Sequence, residues 1–474
     1  MLFLNYLKQV FNPNYCPSVN TSTLSPFTAS NKHSVPEWHN GDPYKSLKQG
    51  IWLYFILLIF EGALRKWMLP GLSTPLLIIR DPVALWLVFT SWRRGLLPQN
   101  FFLSGMVLVG VTGIYTAILA GHGNIYVALF GARPLLIHFP LIFVIGSIFN
   151  QEDVLKIGRI LLWLVFPMTV LVAVQFYSPQ SAFVNRGIGG DMAGAGFGGA
   201  MGYFRPPGTF SFTNGTTLFY QLAATFILFF LIHPTRINRL VLGAATVGLL
   251  AAIPLSISRG LFFQVVVSVV FLVFAMTRNP KFMLRILGAI IAVAVILVLL
   301  SNLSFFQTAI EVFMSRFTDA NENEGGVVKG VIGNRYLGWM LGALSSALDI
   351  PLLGNGLGIA TNVAIAVLTD PITNSKVMGT PDEEWGRTIY ELGPILGLSV
   401  VFLRVGLDLT IALASFRKLA SKDLLPWMLL SFGSLTLLQA QWAQPTSLGF
   451  CTLIVGLMIA SLRPCTENSN NTSL

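Results

Sequence analysis

About ten windows of roughly 20 predominantly apolar residues recur along this chain, each long enough to cross a hydrocarbon core of ~30 Å as a helix. The positive charge left between them alternates. One set of gaps holds Arg93–Arg94, Lys156–Arg159, Arg236–Arg239, Arg278–Lys281–Arg285 and Arg417–Lys418–Lys422. The other set is nearly bare, or holds single arginines inside Gly/Pro/Ser motifs: Arg205, Arg259, Arg335 and Arg387. Short cytoplasmic loops collect Lys and Arg, so the first set fixes orientation in a bilayer. The second set is not explained by that rule. Cations kept on the translocated side, next to lipid, imply an anionic ligand presented there.

Only 11% of the 474 residues are charged and 54% are hydrophobic, against about 25% charged in an ordinary soluble domain. This is the composition of a polytopic membrane protein. The net charge of +10 therefore does not argue for nucleic acid, because most of it sits in loops that would meet anionic headgroups. Cys16, Cys451 and Cys465 form no CxxC, which gives neither a disulfide framework nor a zinc site. His33, His39, His122, His138 and His233 make no metal-binding spacing, and no metal or other cofactor is expected. Residues 1–48 are polar and lack the layout of a signal peptide; they read as a mobile cytoplasmic tail. Residues 464–474 form a second polar tail.

The transmembrane domain is assigned to 49–463, an all-α polytopic helical bundle. Its spans fall near 50–68, 72–91, 101–120, 124–149, 155–177, 214–232, 238–257, 260–276, 284–303, 388–415, 425–442 and 446–462. About twelve transmembrane helices place both termini in the cytoplasm. Two long gaps fall on the outside: 178–213, which is Gly-rich, and 304–387, a large extracytoplasmic loop region before the tenth span. No internal repeat is visible, which lowers the case for an inverted-repeat transporter.

Several charged residues have ordinary readings. Gly194, Gly196 and Gly199 match GxGxxG, but no βαβ unit fits between two spans, so a flexible loop is the better account. Arg404 and Asp408, four apart on one helix, are expected to neutralise each other. Arg80 and Asp81 are expected to form a local ion pair. Arg65 and Lys66 are accounted for as snorkelling anchors. Arg133 lies inside an apolar span and must face a polar cavity or a partner, for which Glu61 is available.

The outer arginines offer more. Arg259 sits in the tight turn Ser256-Ile257-Ser258-Arg259-Gly260, where hydroxyls and the next helix start can share an anion. Arg335 opens an amphipathic run with Tyr336 and Trp339 on nearby faces, and Arg205 precedes a stiff Pro206-Pro207-Gly208. Together they present planar forks suited to phosphate oxygens. Asp382, Glu383 and Glu384 precede the tenth span and are the candidates for a general base, or else are helix N-terminal acids favoured by the dipole. Glu391 is one turn deeper and is placed to order Arg387.

These pieces, in this order, resemble the O-antigen polymerase and O-antigen ligase superfamily. Arg205-Pro206-Pro207-Gly208-Thr209-Phe210 with Asn214 is similar to its "R-x-x-G-T-F … N" loop. Ser256 to Gly260 is similar to its "S-x-S-R-G" turn, and Arg335 with Trp339 and Pro351 to Gly358 to its "R-x-x-x-W … P-L-x-G-x-G-x-G" stretch. Glu391-Leu392-Gly393 with Gly397 resembles its "E-x-G-x-x-G" helix start.

The resemblance implies a membrane glycosyltransferase C-type fold in the bacterial inner membrane. It implies an inverting, metal-independent glycosyltransferase that moves glycan from a polyprenyl-pyrophosphate donor to an acceptor sugar hydroxyl. Flippase and chain-length regulator proteins are the implied partners. Arg259 and Arg335 match the family arginines thought to hold the pyrophosphate; our reading adds Arg205, Arg387 and Arg133, with Glu391, Trp339 and Tyr336 supporting them. Many ligases carry a histidine where this chain has Asp382, beside Glu383 and Glu384. An acidic base favours a polymerase. The alternatives are ligase-type transfer and a small-anion transporter.

Overall fold

The computed structural model describes residues 43–277, 301–324, 339–368 and 377–463, with single positions at 288, 295, 298, 333, 338 and 375. Residues 1–42 and 464–474, most of the span expected over 284–303, and Arg335 and Tyr336 lie outside the described residues, as does the side chain of Trp339.

Among the described residues, eight helices are long and apolar enough to cross a membrane: Lys45–Met68, Pro70–Arg93, Phe101–Leu119, Ile125–Ile148, Gln151–Tyr177, Thr213–Ile232, Arg259–Thr277 and Glu384–Ala420. This is a multi-pass helical bundle. Three more apolar helices, Arg239–Leu255, Leu425–Gln439 and Pro445–Ser461, fall where spans were expected but are shorter. The first helix opens at Lys45, inside the stretch assigned to the tail. The Gly-rich gap also departs from a purely helical plan. Phe197–Ala200 and Tyr203–Arg205 pair antiparallel, with Phe197 opposite Arg205.

Asparagine starts four of the helices. Asn100 Oδ1 accepts from Leu103 N at 2.7 Å, Asn124 Oδ1 from Tyr126 N at 3.0 Å, and Asn238 Oδ1 from Leu240 N at 2.9 Å. Asn150 forms a capping box with Asp153. Each cap satisfies a backbone donor that the helix leaves open, worth about 1 kcal/mol.

Because the helices alternate in direction, the loops carrying Arg93–Arg94, Arg236–Arg239 and Lys418–Lys422 share one end of the bundle. The opposite end, termed the far end, is not level. Helices of 17, 15 and 17 residues rise only ~25, ~22 and ~25 Å. Their far-end connections, residues 256–258 and 440–444, therefore stop short of their longer neighbours. Pro445 O accepts from Arg80 Nη2 at 2.6 Å, and Arg80 Nε reaches Glu61 Oε2 at 2.9 Å. Glu61 is seven residues, or about 10 Å, inside the end of the helix that closes at Met68.

The expected tenth span is not one straight helix. Gly393 has φ 78 and ψ 171, and Pro394 follows it. The arms Glu384–Leu392 and Pro394–Ala420 fold back on each other. Glu384 meets Arg404 at 2.8 Å, although the two are 20 residues apart. Trp385, Ile389 and Val401 share one apolar cluster, and a Cβ on Gly397 would strike Ile389 Cα at 2.6 Å. The break frees carbonyls that a continuous helix would satisfy. The loop Gly354–Gly358 caps them: Asn355 N donates to Tyr390 O and Gly356 N to Glu391 O, each at 3.0 Å.

Candidate functional site

The connection Ala440–Gln444 is the hub of the far end. On one side, Trp442 N donates to Glu384 Oε2 at 3.0 Å and Gln441 Nε2 to the carbonyl of Asp382 at 2.8 Å. On the other, Gln444 Oε1 accepts from Asn214 Nδ2, which also bonds Ser447 Oγ at 3.0 Å. The Trp442 ring is fully buried beneath the Arg404 guanidinium, 4.0 Å from its centroid.

Glu384 is held by five donors, the longest bond coming from Thr388 Oγ1 at 3.4 Å. Arg387 gives Nε at 3.0 Å and Nη2 at 2.8 Å, Arg404 gives Nη1 at 2.8 Å, and Trp442 gives its amide. Arg387 Nη1 also binds Glu391 Oε2 at 2.8 Å, and Glu391 Oε1 accepts from Ala360 N at 3.1 Å. Two buried glutamates, the buried Arg404 and the half-buried Arg387 thus form a closed set. A carboxylate whose lone pairs are all engaged is poorly placed to take a proton. Asp382 is exposed and Glu383 half-buried at the start of the arm.

The second group gathers the arginine motifs. Pro206 to Phe210 are buried, and a Cβ on Gly62 would collide with the backbone of Thr209, Phe210 and Ser211. Thr209 Oγ1 donates to Ile59 O at 2.7 Å, and Arg65 Nη1 to Ser211 Oγ at 2.9 Å. Arg205 is half-buried at the end of the hairpin. Thr217, on the helix that starts beside Asn214, bonds Ser258 Oγ at 3.1 Å, and Gln221 Nε2 donates to Gly260 O at 3.0 Å. Arg259, half-buried, opens its helix from this turn.

The third group lies deeper. Glu61 bridges Arg65 at 3.5 Å and Arg80 at 2.9 Å. Asp81 binds Arg133 and accepts His138 Nε2 at 3.1 Å; His138 Nδ1 in turn bonds the Tyr54 hydroxyl at 3.1 Å. Arg133 lies on the Phe130 ring, 3.5 Å from its centroid. Gly449 makes room for Arg80, since a Cβ there would collide with Nη1.

Several expectations need correcting. Arg404 does not pair with Asp408, because the hairpin delivers Glu384 instead; Asp408 accepts from Ser434 Oγ at 2.7 Å. Arg80 does not pair with its neighbour Asp81 but with Glu61, and Arg133 takes Asp81 rather than Glu61. Arg65 and Lys66 do not snorkel: they are 6% and 1% exposed. They continue the inward face of Phe55, Ile59 and Gly62, spaced three and four apart. Arg387 and Arg133, expected at the pyrophosphate, are each bound to carboxylates. Glu391 does order Arg387.

Sequence reasoning missed Gln441, Trp442, Gln444, Asp81 and His138. The usable signal was Gln439, Gln441 and Gln444 ahead of Pro445, three amides in a gap without a turn residue. Among the described residues no three His, Cys, Asp or Glu side chains are grouped to hold a metal ion. No protein-family description, curated protein or solved structure matches the chain.

Proposed function

We propose that the protein is a polysaccharide polymerase. It transfers glycan from a polyprenyl-pyrophosphate donor to an acceptor sugar hydroxyl at the outer face of the inner membrane. One observation carries the reading. The R-P-P-G-T-F loop, the S-I-S-R-G turn, the G-N-G-L-G loop and the E-L-G break are far apart in sequence, yet they border two elements that the Ala440–Gln444 hub joins: the helix of Asn214 and Thr217, which follows the first and bonds the second, and the arm of Glu384 and Glu391, which ends in the break and bonds the third. Two of these segments bring an arginine outside the closed Glu384 set, Arg205 and Arg259; Arg335 is the third in this reading.

In this mechanism the arginines bind the diphosphate oxygens and stabilise the charge that grows as the sugar C1–O bond breaks. The acceptor oxygen attacks C1 from the opposite face and inverts it. Its proton passes to Asp382 or Glu383, since Glu384 is occupied, and polyprenyl pyrophosphate leaves as the already ionised product. Arg387, Arg404, Glu384 and Glu391 act as the frame.

A second reading, small-anion transport, gains from the Tyr54–His138–Asp81–Arg133 chain inside the spans. At Tyr54 the chain turns back to Arg80, whose guanidinium lies 5.7 Å from the centroid of the tyrosine ring, and to Thr452. Towards the opposite end Leu47, Ile51, Ala84 and Leu87 are fully buried, which weighs against a continuous polar path. Reconstitution with a lipid-linked oligosaccharide separates the two. A ladder on a gel is expected from the wild type, with a loss on the order of 100-fold in Arg205→Ala and in Arg259→Ala. Flux of a labelled anion without any ladder would refute the proposal, as would wild-type ladders from both variants.

A further inference from the structure

Lys66 is the strangest charge in the bundle. It is 1% exposed, and among the described residues it has no carboxylate partner. Its Nζ lies 4.6 Å from the centroid of the Trp67 ring and donates to one oxygen, the carbonyl of Gly208, at 2.7 Å. An ammonium taken out of water without a counter-charge is costly, so a side chain needed only to fill this space would be apolar.

Gly208 does not need Lys66 to be satisfied. Gln175 already receives its N–H on Oε1 at 2.8 Å and donates Nε2 to its carbonyl at 3.2 Å. The peptide is thus gripped from the helix Gln151–Tyr177 and, a second time, from the helix Lys45–Met68. Gly208 has φ +58, and a Cβ there would press on Met168 Sδ at 2.9 Å and Thr216 Oγ1 at 3.2 Å. The grip therefore needs a glycine in a left-handed conformation. Pro206 and Pro207, whose φ angles are fixed by their rings, form the whole link from Gly208 back to Arg205. With both proline φ angles fixed, the link has fewer rotations with which to absorb a displacement at the Gly208 carbonyl before it reaches Arg205.

We infer that Lys66 is a positioning residue: by holding the Gly208 carbonyl it sets where Arg205 presents its guanidinium. The inference rests on the polymerase reading for what Arg205 binds, but not for the grip itself. A misplacement of about 1 Å at such a group can cost on the order of 100-fold in rate.

Two measurements test it on the full-length protein in proteoliposomes. The first is a double-substitution cycle on kcat/KM for the lipid-linked donor. Lys66→Met is expected to lose between about 10-fold and 100-fold, Lys66→Arg to recover most of that, and Lys66→Met to add nothing to Arg205→Ala. Full additivity with Arg205→Ala, or wild-type turnover in Lys66→Met, overturns the inference. The second is amide hydrogen exchange over residues 203–212, expected to speed up at least about tenfold in Lys66→Met. Unchanged exchange there overturns the grip whatever the site binds. If the wild type makes no ladder, the polymerase reading falls and the exchange result still decides Lys66. If Lys66→Met does not fold, Lys66→Gln, which keeps a neutral donor, takes its place in both measurements.

Discussion

Glu384→Ala is expected to cost about 3–5 kcal/mol of stability, enough to lose the folded protein during extraction. The reason lies in what it leaves behind. Arg404 is buried and Arg387 half-buried, and three of their N–H groups point at the two oxygens of Glu384. Arg387 would keep Glu391, but Arg404 has no other ion-pair partner among the described residues. The Trp442 amide would also lose its acceptor. The hairpin arms would then be pressed together around an uncompensated guanidinium at a depth where water does not compensate it. Glu384→Gln keeps the shape and one acceptor oxygen, and should fall between wild type and alanine. Thermal unfolding in detergent, followed by size-exclusion chromatography, reads both. Were Glu384 the general base instead, Glu384→Gln would melt like the wild type and lose only activity; that outcome would exchange the roles of Glu384 and the Asp382–Glu383 pair.

The parts of the fold that follow from composition were legible in the sequence. Apolar run length located eight helices long enough to cross a membrane and three shorter apolar ones among the described residues. What failed were the pairings of Arg404 with Asp408 and of Arg80 with Asp81, which assumed a continuous helix or a neighbour in sequence; the i,i+4 pair Arg387–Glu391 held. The run from 388 to 415 is uniformly apolar, so hydropathy passes over the break at Gly393, although Gly393-Pro394 is a recognisable stop. Once that helix is taken as straight, Asp408 is the only carboxylate three or four residues from Arg404, the spacings at which a helix brings side chains together. Folding the arm back supplies Glu384, whose carboxylate accepts from Arg404 Nη1 at 2.8 Å. The same holds at the other group. Arg80 and Asp81 are adjacent, but successive residues point about 100° apart around a helix, so each finds its partner on a different neighbouring helix. The glycines were read as loop flexibility or as family pattern. Their physical reason, backbone against backbone, needs the tertiary structure.

That reason gives the second large effect. Gly354→Ala is expected to abolish the folded far end, while Gly243→Ala should be neutral or raise stability by about 0.5–1 kcal/mol. Gly354 has φ +73, which costs an L-residue roughly 1–2 kcal/mol before any contact is considered. Its missing Cβ would also fall on Glu391 O and Gly393 N. Both are backbone atoms of the helix break and cannot rotate away as a side chain could. Gly393 is caught in the same contact from the other side, with φ +78 and Leu352 O where its Cβ would be. Two positive-φ glycines therefore face each other, and neither can yield without pulling Asn355 N and Gly356 N from the carbonyls they cap. Freed carbonyls inside a membrane find no water to replace those bonds. The damage should spread to the neighbouring helix, because Gly358 packs against Gly131 with no space for a side chain, two residues before Arg133. Gly243 is the control: it sits within Arg239–Leu255, and a Cβ there meets nothing within 4 Å. Melting curves of the two variants, taken under one detergent condition, decide the matter. If Gly354→Ala melts with Gly243→Ala, the loop does not cap the break, and the link between the G-N-G-L-G and E-L-G segments is lost with it.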